Sequence, residues 1–149
     1  MKKFHYSLET VLDYKQQILD NLKEEYAIRM RYVNEKILEI ENLRKKSSAL
    51  RDEFDDVKHR GASIEKFLMY SSMIDNLDKQ VEVEKQALAV LQARADQKKA
   101  ELINANIDVN KFEKLKEKKK AEHHTLEQKQ QESFIDEFVS NQAKSIRPA

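Results

Sequence analysis

Val57-Lys58-His59-Arg60-Gly61-Ala62-Ser63-Ile64-Glu65-Lys66-Phe67 contains Gly61, the only glycine in 149 residues. A glycine takes the left-handed conformation that ends a helix at little cost. Basic residues precede it, where a helix C-terminus favours cations. Ser63 follows as a capping residue, with Glu65 in the next first turn. Heptad spacing lies on both sides. The expectation is an all-α fold: a long antiparallel two-helix coiled-coil hairpin, forming one domain over residues 1–149.

The first helix is expected over about 7–60, the turn over about 60–63 and the second helix over about 64–145. Ser7 is read as the first N-cap, Tyr6 and Val11 as a hydrophobic staple, and Glu9 as a first-turn anion. Apolar residues follow at threes and fours: Leu8, Leu12, Leu19, Leu22, Tyr26, Met30, Val33, Ile37, Ile40, Leu43, Leu50, Phe54 and Val57. Lys15 and Ser47 interrupt the pattern. The Tyr26–Met30 and Ile40–Leu43 steps break strict alternation, as slips in a coiled coil do.

The second helix reads more regularly. From Phe67 the 3-4 spacing gives Tyr70, Ile74, Leu77, Val81, Glu84, Leu88, Leu91, Ala95, Lys98, Leu102, Ala105, Val109 and Phe112. All but Glu84 and Lys98 are apolar or aromatic, which is a sustained 3.5-residue seam. Polar seam residues of this kind fix register. A turn near Gly61 sets Leu50 opposite about Ile74, Val33 opposite about Leu91, and Leu8 near Leu115.

At 1.5 Å per residue the helices span roughly 80 Å and roughly 120 Å. Beyond about residue 120 the second helix overhangs. That tail carries Leu126, Phe134, Ile135, Phe138 and Val139 at helical spacing, with nothing of its own to pack on. Pro148 is read as marking its frayed end.

Composition narrows the class of function. Charged residues make up 37% and apolar residues 40%, with one proline, no tryptophan and no cysteine. That profile fits long helices and is too poor in turn residues for a globular enzyme. Lys plus Arg (28) balances Asp plus Glu (27), so no net field draws the chain to nucleic acid. Met1-Lys2-Lys3-Phe4 leads into polar residues, which is not a secretory signal, and no apolar run is long enough to span a membrane.

Chemistry is sparse. A two-helix structure offers no deep pocket, and one glycine makes no phosphate loop. No catalytic residues, cofactor, metal or small-molecule ligand are expected. His123 and His124 are neighbours, pointing about 100° apart, and lack the i, i+4 spacing of a metal clamp. His123 with Glu127 makes only two ligands. His5, His59, His123 and His124 therefore read as solvated or interface histidines. Lys111 to Lys120 (KFEKLKEKKK) reads as a solvated face with Glu113–Lys116 and Glu117–Lys120 pairs, or as a patch for an acidic protein surface. Without an aromatic platform, nucleic acid is not expected. The tail stripe reads as a docking surface.

Three segments together resemble the FliJ family of the flagellar type III export apparatus. FHYSLETVLDYK (4–15) is similar to the family's opening signature. YSSMIDNLDKQV (70–81) is similar to its second block, with Met73 where an aromatic is common. KFEKLKEKKKAE (111–122) and QESFIDEF (131–138) are similar to its basic run and Asp-Glu ending, although Gln128-Lys129 stands apart from Asp136. The resemblance spans essentially the whole chain.

What the resemblance implies is a non-enzymatic stalk protein, cytoplasmic and peripheral to the inner membrane at the flagellar base. It would dock into a hexameric export ATPase by the end carrying both termini, promote ring assembly, and link the ring to a membrane export-gate protein. Escort of export chaperones is also implied. ATPase contact falls to Phe4, Tyr6, Leu8, Val11, Leu12, Lys116, Lys119, Phe134, Asp136, Glu137 and Phe138. Gate contact falls to Tyr70, Met73, Leu77, Gln80 and Glu84. Ile74, Leu77 and Val81 lie on the heptad seam, so Met73 and Gln80 are the better placed for exposed contact. The alternatives are a self-associating coiled-coil scaffold and the equivalent stalk of a virulence injectisome.

Overall fold

The computed structural model describes residues 2–146, so Pro148 lies outside the described residues. Two helices account for nearly all of them: α1, Glu9–Arg60, and α2, Ile64–Ile146. They pack against each other as a two-helix hairpin, and no strand is present among the described residues. Among the described residues, no helix is long and apolar enough to cross a membrane.

The ends of the helices follow from local chemistry. Glu9 sits in the first turn of α1, and Lys58, His59 and Arg60 in its last. Gly61 then adopts φ +81°, the left-handed value that other residues resist. Ser63 caps α2: its Oγ accepts from the Lys66 N–H at 3.3 Å, and its carbonyl accepts from the Phe67 N–H at 3.2 Å.

The start of α1 differs from expectation. The helix begins at Glu9, so Leu8 holds the cap position and Ser7 lies outside it. The Glu9 N–H donates to the Tyr6 carbonyl at 3.1 Å instead. Tyr6 is therefore not the staple partner of Val11. It is buried, and its hydroxyl donates to the Phe112 carbonyl of α2 at 3.0 Å. This long-range anchor outweighs the local capping preference of Ser7.

The chain divides into two compact units. One comprises Asp20–Ile103. Its core holds Val33, Ile40, Leu43, Val57, Tyr70, Val81 and Ala95. Leu77 and Leu88 pack on the Ile40, Leu43 and Val81 cluster. Nearer the turn, the Phe54 ring stacks on Tyr70 at 5.3 Å and lies 6.0 Å from Phe67. The Lys58 ammonium sits 4.0 Å over the Phe54 ring. The other unit comprises Met1–Leu19 and Asn104–Ala149, with Tyr6, Leu12, Leu19 and Val109 buried.

Every seam position expected on α2 from Phe67 to Phe112 is buried or half-buried. The seam of α1 needs correction. Ile37 is 41% exposed, and the inward position belongs to Lys36. With Lys36 in place, Val33, Lys36, Ile40, Leu43, Ser47, Leu50, Phe54 and Val57 follow an unbroken 3-4 spacing. Lys15 and Ser47 are not interruptions either. Both turn inward, and each meets a polar partner on α2: Lys15 with Asp108 at 3.7 Å, Ser47 with Asp78 at 3.1 Å.

Lys36 donates to Glu84 at 2.6 Å and to Glu39 at 2.9 Å. Lys98 lies 2.9 Å from Glu25 and 3.2 Å from Glu101. Both polar positions on the α2 seam are thus answered by an opposite charge on α1. These rungs hold the register in which Ser47 meets Asp78 and Glu53 meets Tyr70.

Gly61 has no atom within 4 Å of where a Cβ would sit, so a substitution there is opposed by backbone conformation alone. Gly61→Ala is expected to lower stability by about 1 kcal/mol, and Gly61→Asn by less, since asparagine tolerates the left-handed region. Urea unfolding of the three proteins measures the order. Equal midpoints would show that the turn relaxes to another conformation.

Candidate partner-binding surfaces

The first surface lies at the end of α2. Leu126, Phe134, Ile135, Phe138 and Val139 are each more than half exposed. The seam does not continue among them. Carried onward from His123 and Leu126, its 3-4 spacing reaches Gln130, Ser133, Glu137 and Ser140, which are polar and exposed. Phe134, Ile135, Phe138 and Val139 fall on another side of the helix. This stripe is therefore a separate face. Asp136 and Glu137 are exposed beside it.

The second surface is a short strap before α1. Phe4 is half-buried, edge-on to the His123 ring at 5.6 Å. His123 Nε2 donates to the Lys2 carbonyl at 3.0 Å. With Tyr6 on the Phe112 carbonyl, the strap is tied to α2 at three points. Heptad reading misses it, because the strap is not helical. The aromatic spacing of Phe4 and Tyr6 is the one sequence signal for it. Leu8 is half-buried, Leu12 buried, and Val11 37% exposed.

The basic run divides. Lys116 is held at 2.9 Å from Glu9 on α1, not by Glu113. Lys119 pairs with Glu122 at 3.6 Å, and the expected Glu117–Lys120 pair does not form. Lys111, Lys114, Lys118 and Lys120 are exposed. His59 Nδ1 donates to the Asp55 carbonyl at 2.7 Å, and His5 and His124 are exposed. No cluster of three His, Cys, Asp or Glu that could hold a metal occurs among the described residues.

The third surface is the start of α2. Tyr70 is buried, and its hydroxyl donates to Glu53 at 3.0 Å. Leu77 packs on the core, and the Glu84 carboxylate is taken by Lys36. Burial gives these three a packing duty. Met73 is 44% exposed and Gln80 is exposed, both off the seam. Of the five gate-contact residues, these two offer their side chains to solvent.

The family described as Flagellar FliJ protein matches residues 4–146. The chain belongs to the FliJ family. It is accordingly a component of the flagellar protein export apparatus, and a structural one. No curated protein and no solved structure matches it. The family match runs through the strap, both helices and the tail, so all three surfaces belong to this FliJ chain.

The rung lysines hold their protons more tightly than usual. The hydrogen bond to Glu84, then that to Glu39, raises Lys36 above its ordinary 10.5. Glu25, then Glu101, does the same for Lys98, and Glu9 for Lys116. The Glu53 hydrogen bond raises the Tyr70 phenol above 10.0. The folded chain therefore keeps these protons to higher pH than the unfolded chain. The stability they lend is complete below the unfolded values and is lost as pH rises through the raised folded ones. Melting temperature is expected to fall as pH climbs past 10.5, and Lys36→Met with Glu84→Met should make that fall shallower. An unchanged alkaline slope in the double variant would separate the rung from the pH response.

Proposed function

We propose that this FliJ protein is a stalk for the flagellar export ATPase. Its tail and strap enter the hexameric ring, and the start of α2 reaches the membrane export-gate protein. The mechanism is contact alone: the hairpin supplies a preformed helical surface around which ring subunits assemble. Escort of export chaperones is a further role for the same surfaces. The observation that supports this reading is the apolar face from Phe134 to Val139, exposed on α2 beyond the residues that pack on α1 and the strap. An exposed apolar face of this kind is a docking surface waiting for its partner.

Within the ATPase-binding set, burial divides the labour. Tyr6 and Leu12 shape the strap and the first turn of α1, while Phe134, Asp136, Glu137, Phe138 and Val11 face solvent. Lys119 and the exposed lysines of the run supply positive charge near the same end. For the gate, Met73 and Gln80 make the contact, and Tyr70, Leu77 and Glu84 hold the surface in shape.

Phe134→Ser with Phe138→Ser, in the full chain, is the direct test. Both side chains are exposed, so helix content by circular dichroism should not change. ATP hydrolysis by the cognate flagellar export ATPase is expected to rise with the natural chain and to rise much less with the variant. Equal stimulation by both would remove the tail from the contact. No stimulation and no co-elution with the natural chain would sink ring docking, and a dimeric mass in solution would then favour the self-associating scaffold.

A further inference from the structure

The spacing that makes α2 a coiled-coil partner for α1 recurs on a second side of α2. Met73, Asn76, Gln80, Val83, Ala87 and Val90 follow one another at threes and fours. None is charged, in a chain that is 37% charged. Met69 extends the row toward the turn, and Arg94 ends it. Val83 is 63% exposed, Val90 52% and Met69 51%. These residues are off the seam, so packing on α1 does not account for them.

The two flanks of the seam differ in charge. On one flank Arg51 of α1 pairs with Asp78 of α2, and Arg44 and Lys58 share the heptad position of Arg51. Met73, Gln80 and Ala87 fall on the opposite flank, because they precede the seam residues Ile74, Val81 and Leu88 whereas Asp78 follows Leu77. There α1 presents Glu39, which accepts from Lys36, and Glu53, which accepts from Tyr70. Glu35, 4.0 Å from Arg31, and Asp56 lie beside them, and the basic residues on the same heptad positions are Lys46 and, next to the turn, Arg60. One wall is uncharged and heptad-spaced; the other carries an acidic excess. Nearer the start of α1, Ile28 and Tyr32 add apolar surface, 38% and 42% exposed.

We infer that this flank is a docking seam for one further α-helix, amphipathic, with an apolar stripe bordered by lysine or arginine. Heptad-spaced uncharged residues fit a helix in the same way that α2 fits α1. The acidic wall selects basic residues on the edge that lies along α1. At 1.5 Å per residue, the row from Met69 to Val90 accommodates roughly six turns of partner helix. The inference rests on the proposed gate contact, since Met73 and Gln80 belong to the row, and it names the chemistry of the gate segment that binds there.

The test uses the full chain and the detergent-solubilised export-gate protein of the same organism. Val83→Lys with Val90→Lys is expected to weaken binding at least tenfold with helix content unchanged. Val83→Glu with Val90→Glu should weaken it less, because a basic partner tolerates added acid. Stronger loss with glutamate than with lysine overturns the basic border. Full binding by both pairs overturns the docking seam. If Met73→Ala with Gln80→Ala then abolishes binding, the gate contact stands without it, and if the natural chain does not bind, both readings fall.

The chain has no cysteine, so Met73→Cys and Val90→Cys offer unique cross-linking points. Cross-links from the two should land on one gate segment, separated by about the same number of residues. Links to separate segments would rule out a single helix.

Discussion

Lys36 reaches Glu84 at 2.6 Å across the seam, and Glu25 faces Lys98 at 2.9 Å in the opposite polarity. Apolar layers alone leave two heptad-patterned helices free to choose among registers, since one leucine layer resembles the next. Charged residues inside the seam remove that freedom. A slip by one heptad would set Lys36 or Lys98 against apolar side chains across the seam and remove its partner on the other helix, leaving only Glu39 or Glu101 on its own helix, which is costly for a half-buried ion. A slip that set the two lysines, or the two glutamates, against each other would bring like charges together. Every surface that follows, including which residues point outward, depends on the register these rungs select.

That dependence explains how the residues carried over from the family divide into two groups. Tyr70, Leu77 and Glu84 are engaged within the hairpin, by stacking and hydrogen bonding, by core packing and by a rung. Their loss would change the shape of a surface before it changed the contact. Met73 and Gln80, one or more positions off the seam, can be altered without touching the core. The same division runs through Tyr6 and Leu12 against Phe134 and Phe138. A residue can matter to binding through either route, and burial tells the routes apart.

The hairpin was legible because it rests on two strong signals: a lone glycine and a long seam. The regular seam of α2 is inward throughout, and the cap at Ser63 forms as its chemistry requires. The misreadings share one cause. Lys15, Lys36 and Ser47 look wrong for a core when polarity alone is counted, so the α1 seam reads as broken, with Ile37 in place of Lys36. Spacing decides the direction of a side chain, and a polar residue at an inward position finds a partner or snorkels its charge to the edge. The strap was illegible for a different reason. Its contacts to Phe112 and His123 bridge more than a hundred residues of sequence, and no local pattern announces them. The start of α1 moved with it, because the anchored Tyr6 dictates where the first turn closes.

Along α2 the apolar direction changes, and this change is what a single helix needs to serve several neighbours. From Phe67 to Phe112 the inward face meets α1. From Met69 to Val90 an uncharged row runs beside that face on one flank. From Phe134 to Val139 the apolar residues stand away from the line of the seam altogether. A helix whose apolar residues kept one line would offer partners only the side already taken by α1, and binding would compete with the fold. By placing later apolar residues off that line, α2 keeps its seam closed while exposing other faces. The stability of the hairpin and its capacity for contact are thereby written in the same heptad frame, at different positions.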